Sequence, residues 1–132
     1  MTPEPSDIHD LALKVRAALE ASDPTAFAEL LDPQVTWGAP GAPTPACRNR
    51  SQVLAWYEKG RAAGTRAAVT DVAVAGDRLL VSLTVGGSDA ARERGGAALR
   101  WQVLGVRGGH VVDIAGFDDR TDALAYAQSP VP

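Results

Sequence analysis

The sequence predicts a single α+β domain, in which helices and an antiparallel sheet occupy separate parts of the chain. Apolar residues recur at helical spacing before residue 32, whereas period-two alternation and Gly-rich turns fill residues 66–117. The length of 132 residues suits one domain with its own core. We therefore expect one domain over residues 1–132, with loose termini at residues 1–6 and 128–132.

Two helices are predicted at the start of the chain. Ser6 is a favourable N-cap for a helix over residues 7–21. The apolar residues of this segment share one helical face: Ile8, Leu11, Ala12, Val15, Ala18 and Leu19. Asp23 and Pro24 begin a second, short helix, and the pair at residues 32–33 ends it.

A short strand, a loop and a third helix follow. Residues 35–37 form the strand, and the Pro- and Gly-rich residues 38–45 form a loop at the rim of the domain. Ser51 caps the third helix, which ends at Gly60 or Gly64.

A meander of four antiparallel strands and a short helix complete the chain. The strands are expected at residues 66–75, 79–86, 97–107 and 110–117, and the helix at 121–127. A curved sheet wrapped around the first helix gives a cone. We expect the helices on its concave side, beside an open pocket.

Composition excludes several classes of function. The net charge is −3 and no basic run is dense enough to follow a phosphate backbone, which argues against a nucleic-acid partner. Cys47 is the only cysteine, so neither an internal disulfide nor a Cys-based zinc site is possible, and we expect no metal and no cofactor. No signal peptide or run of about 20 apolar residues occurs, which predicts a cytoplasmic protein without a membrane partner.

The predicted hairpin of the last two strands carries different side chains on its two faces. Alternation puts Arg100 and Gln102 on one face and Trp101 and Val103 on the other. Arg100 and Gln102 can donate hydrogen bonds to a carboxylate, carbonyl or phenolate oxygen. The large apolar residues Trp101 and Val103 predict a homodimer interface.

Four further residues are candidates for the pocket. Trp37, Trp56 and Tyr57 can line its apolar part, although aromatic residues are more often plain core. Asp113 either forms a structural ion pair with Arg100 or, less favourably, acts as an acid or base.

The order of these elements and five segments resembles the nuclear transport factor 2-like superfamily, and within it the SnoaL-like and ketosteroid isomerase-like members. The segments are residues 17–23, 30–37, 47–51, 100–114 and 116–119. The resemblance covers nearly the whole chain. It implies a cone with a pocket between sheet and helices, and homodimers formed through the sheet. Functions in the superfamily range from isomerases, hydrolases, dehydratases and cyclases to binding without catalysis.

The resemblance also shows which catalytic groups this sequence lacks. Ala39 occupies the position of the carboxylate base of ketosteroid isomerase-like members, and Val15 that of their tyrosine donor. Gln102 occupies the position of their protonated acid. Epoxide hydrolase-like members carry Arg-x-Asp on this strand and a further Asp on the last one. Here Arg100 is retained, Gln102 replaces the first carboxylate and Gly116 falls near the second.

The sequence therefore favours binding over turnover. We expect the pocket to hold a small apolar molecule with a carbonyl, phenol or carboxylate group. One alternative is a small-molecule isomerase, hydrolase or cyclase that uses Arg100 and Gln102 as donors. Another is a dimerisation or regulatory domain with a vestigial pocket. A buried carboxylate at the pocket would favour the enzyme.

Overall fold

The computed structural model describes residues 5–21, 24–38, 47–62, 64, 66–86 and 97–128. Its helices are α1 (Pro5–Glu20), α2 (Pro24–Leu30), α3 (Arg50–Ala62) and α4 (Arg120–Gln128). Its strands are β1 (Leu31–Gly38), β2 (Arg66–Ala75), β3 (Arg78–Gly86), β4 (Ala97–Arg107) and β5 (His110–Phe117). The α+β class is confirmed. None of the described helices has the length and apolar character needed to cross a membrane.

The boundaries differ from the predicted ones at several helix ends. Helix α1 begins at Pro5, two residues early, and α3 continues through Gly60 and stops before Gly64, whose φ of +93° suits the end of a helix. The predicted loop at 38–45 lies outside the described residues beyond residue 38. Residues 1–4 and 129–132 of the predicted loose termini also lie outside them.

The sheet has five strands in the order β1-β5-β4-β3-β2. The meander from β2 to β5 is antiparallel as predicted, but β1 pairs with β5 in parallel, which makes the sheet mixed. Pro33 lies in β1 at the edge of the sheet, the place where a strand tolerates a residue without an N–H. The residues Asp32 and Pro33, which were predicted to end the second helix, therefore lie inside β1, which already begins at Leu31.

The main core lies between α1 and the concave face of the sheet. Val15 of α1 is completely buried, as are Leu79 and Val81 of β3. Leu104 and Ile114 extend this core across β4 and β5. This packing places one face of the meander against the first helix, as the apolar pattern predicted.

Helix α4 packs on the opposite, convex face of the sheet. Its Ala123 and Ala127 contact a second core cluster that includes Leu80, Val103 and Phe117. The expectation that the helices lie on the concave side therefore does not hold for α4. Val103 is 0% exposed in the single chain, so its predicted role in a dimer interface is wrong.

Candidate functional site

A buried amide lies on the concave face of β4. Gln102 is 8% exposed and is, with Arg78, one of the two buried polar side chains in the described part of the chain. The Tyr57 hydroxyl donates a hydrogen bond of 3.3 Å to Gln102 Oε1. This hydrogen bond links α3 to the sheet and occupies the oxygen of the amide.

Aromatic rings surround Tyr57. The Trp37 ring lies 5.0 Å from the Tyr57 ring between centroids, and Phe27 meets Tyr57 edge-to-face at 5.4 Å. Trp56 contacts Trp37 at 6.1 Å but is 53% exposed, which places it at the outer edge of this group. Of the three predicted aromatic residues, Trp37 and Tyr57 thus meet close to Gln102, while Trp56 faces solvent.

The segment before α3 holds Trp37 in place. Trp37 and Cys47 exchange two backbone hydrogen bonds, of 3.0 and 2.9 Å. Asn49 caps α3, because its Oδ1 accepts a hydrogen bond of 2.9 Å from the N–H of Gln52. The predicted cap at Ser51 is therefore wrong: Ser51 already lies inside the helix.

The site holds its hydroxyl and thiol in the protonated form. Burial raises the pKa of Tyr57 to about 12, an effect that the hydrogen bond to Gln102 partly opposes. Burial also raises the pKa of the Cys47 thiol. Tyr57 is thus a neutral donor at ordinary pH, and Cys47 lacks the thiolate character of a nucleophile.

No Asp or Glu side chain is buried within residues 8–21, 25–38, 47–59, 67–86 and 98–128. Among the described residues, no group of three or more His, Cys, Asp or Glu side chains is placed to hold a metal ion. A buried carboxylate, the feature that would favour the enzyme, is therefore not found among these residues.

The structure does not place Arg100 in the buried site. Arg100 lies on the same face of β4 as Gln102, opposite Leu83 of β3, but its side chain is exposed. No described residue forms a hydrogen bond or an ion pair with that side chain. The alternation predicted the face of Arg100 correctly, but Arg100 lies two positions along the strand from the buried amide.

The predicted pairing of Asp113 with Arg100 is wrong. Asp113 lies opposite Gly105, on the convex face, whereas the start of the hairpin pairs Trp101 with Phe117. The Asp113 carboxylate accepts a hydrogen bond of 3.1 Å from the Gly105 N–H. Asp113 thus satisfies the backbone on the side of the sheet that faces away from Gln102.

The sequence did not predict that Phe27 and Gly116 would belong to the site. Phe27 was placed only on the second helix, and its spacing did not show that it would meet Tyr57. Gly116 lies opposite Gln102 in the register of β4 and β5. The one available signal was a glycine inside a strand pattern, which often marks a close approach or a ligand.

A family model described as a SnoaL-like domain matches residues 13–118. Among curated proteins, none matches this sequence. A candidate ketosteroid isomerase from Kribbella flavida shares 20% identity and a TM-score of 0.68, over 96% of this chain and 84% of its own. A candidate polyketide cyclase from Sinorhizobium meliloti shares 20% identity and a TM-score of 0.62, over 84% and 98%. A hypothetical protein with a ketosteroid isomerase-like fold from Catenulispora acidiphila, in complex with trimethylamine, shares 20% identity and a TM-score of 0.59, over 98% and 96%. At these identities the structures show a common fold.

Proposed function

The chain belongs to the SnoaL-like domain family, and from that premise we propose that it binds a small, mainly apolar molecule through an oxygen atom at Gln102. The observation that supports this proposal is the buried hydrogen bond between Tyr57 and Gln102. Because Tyr57 occupies Oε1, the amide nitrogen of Gln102 keeps two N–H donors. No described residue accepts a hydrogen bond from that nitrogen.

The surroundings of the amide favour an apolar ligand body. Phe27, Trp37 and Tyr57 form a contiguous group of rings beside Gln102. Small-molecule sites commonly combine apolar and aromatic walls with a few polar groups that fix orientation. One buried amide among aromatic rings fits that description.

Turnover is the less supported reading. An isomerase, hydrolase or cyclase of the predicted kind needs a group that takes a proton from the substrate or from water. No carboxylate is buried within residues 8–21, 25–38, 47–59, 67–86 and 98–128, and Asp113 lies on the opposite face of the sheet. Gln102 can stabilise a developing negative charge on oxygen but cannot remove a proton.

Ligand binding is tested by native mass spectrometry of the purified protein, followed by a thermal-shift screen of phenols and ketones. Gln102→Leu should abolish the ligand-induced shift, because it replaces the amide and its donors with an apolar side chain of similar size. Arg100→Leu is the matched control on the same strand and face, and it should keep the shift. A Gln102→Leu protein that retains every ligand-induced shift would refute the proposal.

We also propose that two copies associate through the part of the convex face that α4 leaves open. Leu99 lies on this face and is 56% exposed, and Trp101 beside it is half-buried. A second copy that covered both residues would remove apolar surface from water. Trp101→Glu and Leu99→Glu should each yield monomers in sedimentation, and an unchanged oligomer in both would reject this interface.

A further inference from the structure

Two tryptophan rings meet at the junction of β1 and α3, at the outer edge of the aromatic group. The ring centroids of Trp37 and Trp56 are 6.1 Å apart, and the ring planes are inclined at 73°. Rings inclined so steeply form a corner, and a group placed in that corner can contact both rings within about 6 Å of their centroids. Trp56 is 53% exposed and Trp37 is half-buried, which leaves surface of both rings accessible to solvent.

Trp56 lies on the solvent side of α3, where the core does not need a large ring. Gln52 and Lys59, one turn before and one turn after it on this side of the helix, are exposed. Tyr57, the next residue, instead points inward and bonds to Gln102. Among the described rings, Trp56 contacts that of Trp37 alone. The side chain of Trp56 therefore completes the corner and does little to fill the core.

The two walls of the corner carry no charge. Indole rings do not ionise at ordinary pH, and the Tyr57 hydroxyl, whose ring contacts Trp37, stays protonated because burial raises its pKa to about 12. No cation of the described residues stacks on Trp37 or Trp56, whereas Arg78 does so on Tyr126 at the convex face. Within the described part of the chain, the faces of the two tryptophan rings are thus without a cation.

Such a corner selects a ligand by the sign of its charge. The face of an aromatic ring is negative, so it attracts a cation and repels an anion. A primary ammonium such as that of Lys59 is strongly hydrated, and its long stem lets it stay in water. Alkyl groups on the nitrogen displace this water and pack against the rings, so that an alkylated ammonium gains apolar contact as well as electrostatic attraction.

We propose that Trp37 and Trp56 form a two-walled aromatic site for a quaternary ammonium group. This inference goes beyond the proposed function, because the site takes a cation and makes no use of the amide of Gln102. Ring contacts lead from Tyr57 through Trp37 to Trp56, so the cation site is adjacent to the amide site and lies farther out.

The test compares choline with its neutral carbon isostere, in which a tert-butyl group replaces the trimethylammonium group. Titrations at constant ionic strength, held with sodium chloride, are followed by the three indole signals in ¹H–¹⁵N spectra, which Trp56→Leu and Trp101→Leu assign. Choline should shift the signals of Trp37 and Trp56 and leave that of Trp101 in place. It should bind about tenfold more tightly than the isostere, which corresponds to about 1.4 kcal/mol and is the size expected of two ring contacts at an exposed site.

Two variants locate the preference for the cation. Trp56→Leu removes one ring and keeps an apolar side chain on α3, so the preference for choline over the isostere should fall from about tenfold to about threefold. Trp101→Leu is the matched control on the convex face and should keep the preference at about tenfold. Expressing the result as a ratio cancels the apolar contact that both probes lose with the ring.

Three outcomes would overturn the aromatic cation site. Equal binding of choline and the isostere would show that the rings are plain apolar surface, and indole signals that move no further than in the sodium chloride control would show that choline does not bind them. Both results come from the wild-type protein and do not depend on the folding of a variant. A full preference in Trp56→Leu would place the cation elsewhere. Gln102→Leu should keep the preference for choline, so its effect on phenols and ketones tests the proposed function separately.

Discussion

Substituting Gly105 with alanine should destabilise the protein through one contact. A Cβ at Gly105 would lie 2.5 and 2.7 Å from the two carboxylate oxygens of Asp113, closer than real Cβ atoms approach. The backbone at Gly105 is not in the left-handed range, so the conflict is with the Asp113 side chain alone. The carboxylate must swing away, and the buried Gly105 N–H then loses its acceptor.

The expected loss is about 2 kcal/mol in the free energy of unfolding. A hydrogen bond to a charged group contributes roughly 1.5–3 kcal/mol, and residual crowding adds to its loss. Alanine in place of glycine restricts the unfolded chain and recovers about 0.4–1 kcal/mol. The residual crowding and the recovery act in opposite directions, and the lost hydrogen bond sets the estimate.

A double-mutant cycle in urea, followed by tryptophan fluorescence, isolates this contact. In an Asp113→Ala background the obstructing carboxylate and the hydrogen bond are already gone, so Gly105→Ala should cost less than about 0.5 kcal/mol. If Gly105→Ala costs the same in both backgrounds, the explanation through Asp113 is wrong.

Three further predictions concern other contacts. The folded protein holds the Tyr57 proton more tightly than the unfolded chain, because burial raises this pKa from 10.0 to about 12. Stability should therefore be unaffected by this group below pH 10 and fall by about 1.4 kcal/mol per unit between pH 10 and 12, a loss that urea titrations of Tyr57→Phe should not show. Arg78 donates to the carbonyl of Tyr126 and lies 4.7 Å from its ring centre, so Arg78→Met should speed amide exchange in α4 but not in α1. Asn49→Ala should cost about 1 kcal/mol in thermal or urea unfolding, and Asn49→Ser should recover most of it.

Local sequence patterns predicted most of the fold. The turn at Gly108 and Gly109 is present, with both residues at positive φ as a two-residue hairpin needs. Strand β2 has the predicted boundaries because period-two alternation is a local property. The parallel pairing of β1 with β5 joins segments about 80 residues apart in sequence, and no local pattern carries that information.

The candidate site was predicted less completely, since it depends on register and on non-local packing. Alternation correctly separated the faces of Gln102 and Trp101. Alternation did not predict which residue of β4 would pair with Asp113. In the structure the register shifts at a bulge after Gly105, so that Asp113 pairs with Gly105 and lies far from Arg100. The short helix α4 was expected, but its small alanines gave too weak an apolar pattern to show that it would cover Val103.

The described polar groups on the two faces of the sheet have different partners. Among the described residues, the buried polar side chain on the concave face is the amide of Gln102, held by the Tyr57 hydroxyl, which remains neutral at ordinary pH. On the convex face the carboxylate of Asp113 is used to hold the backbone of Gly105. The sheet thus separates the carboxylate of Asp113 from the amide of Gln102. The concave face of the described sheet thus combines an amide with aromatic rings, and the proposed binding of a small molecule rests on this combination.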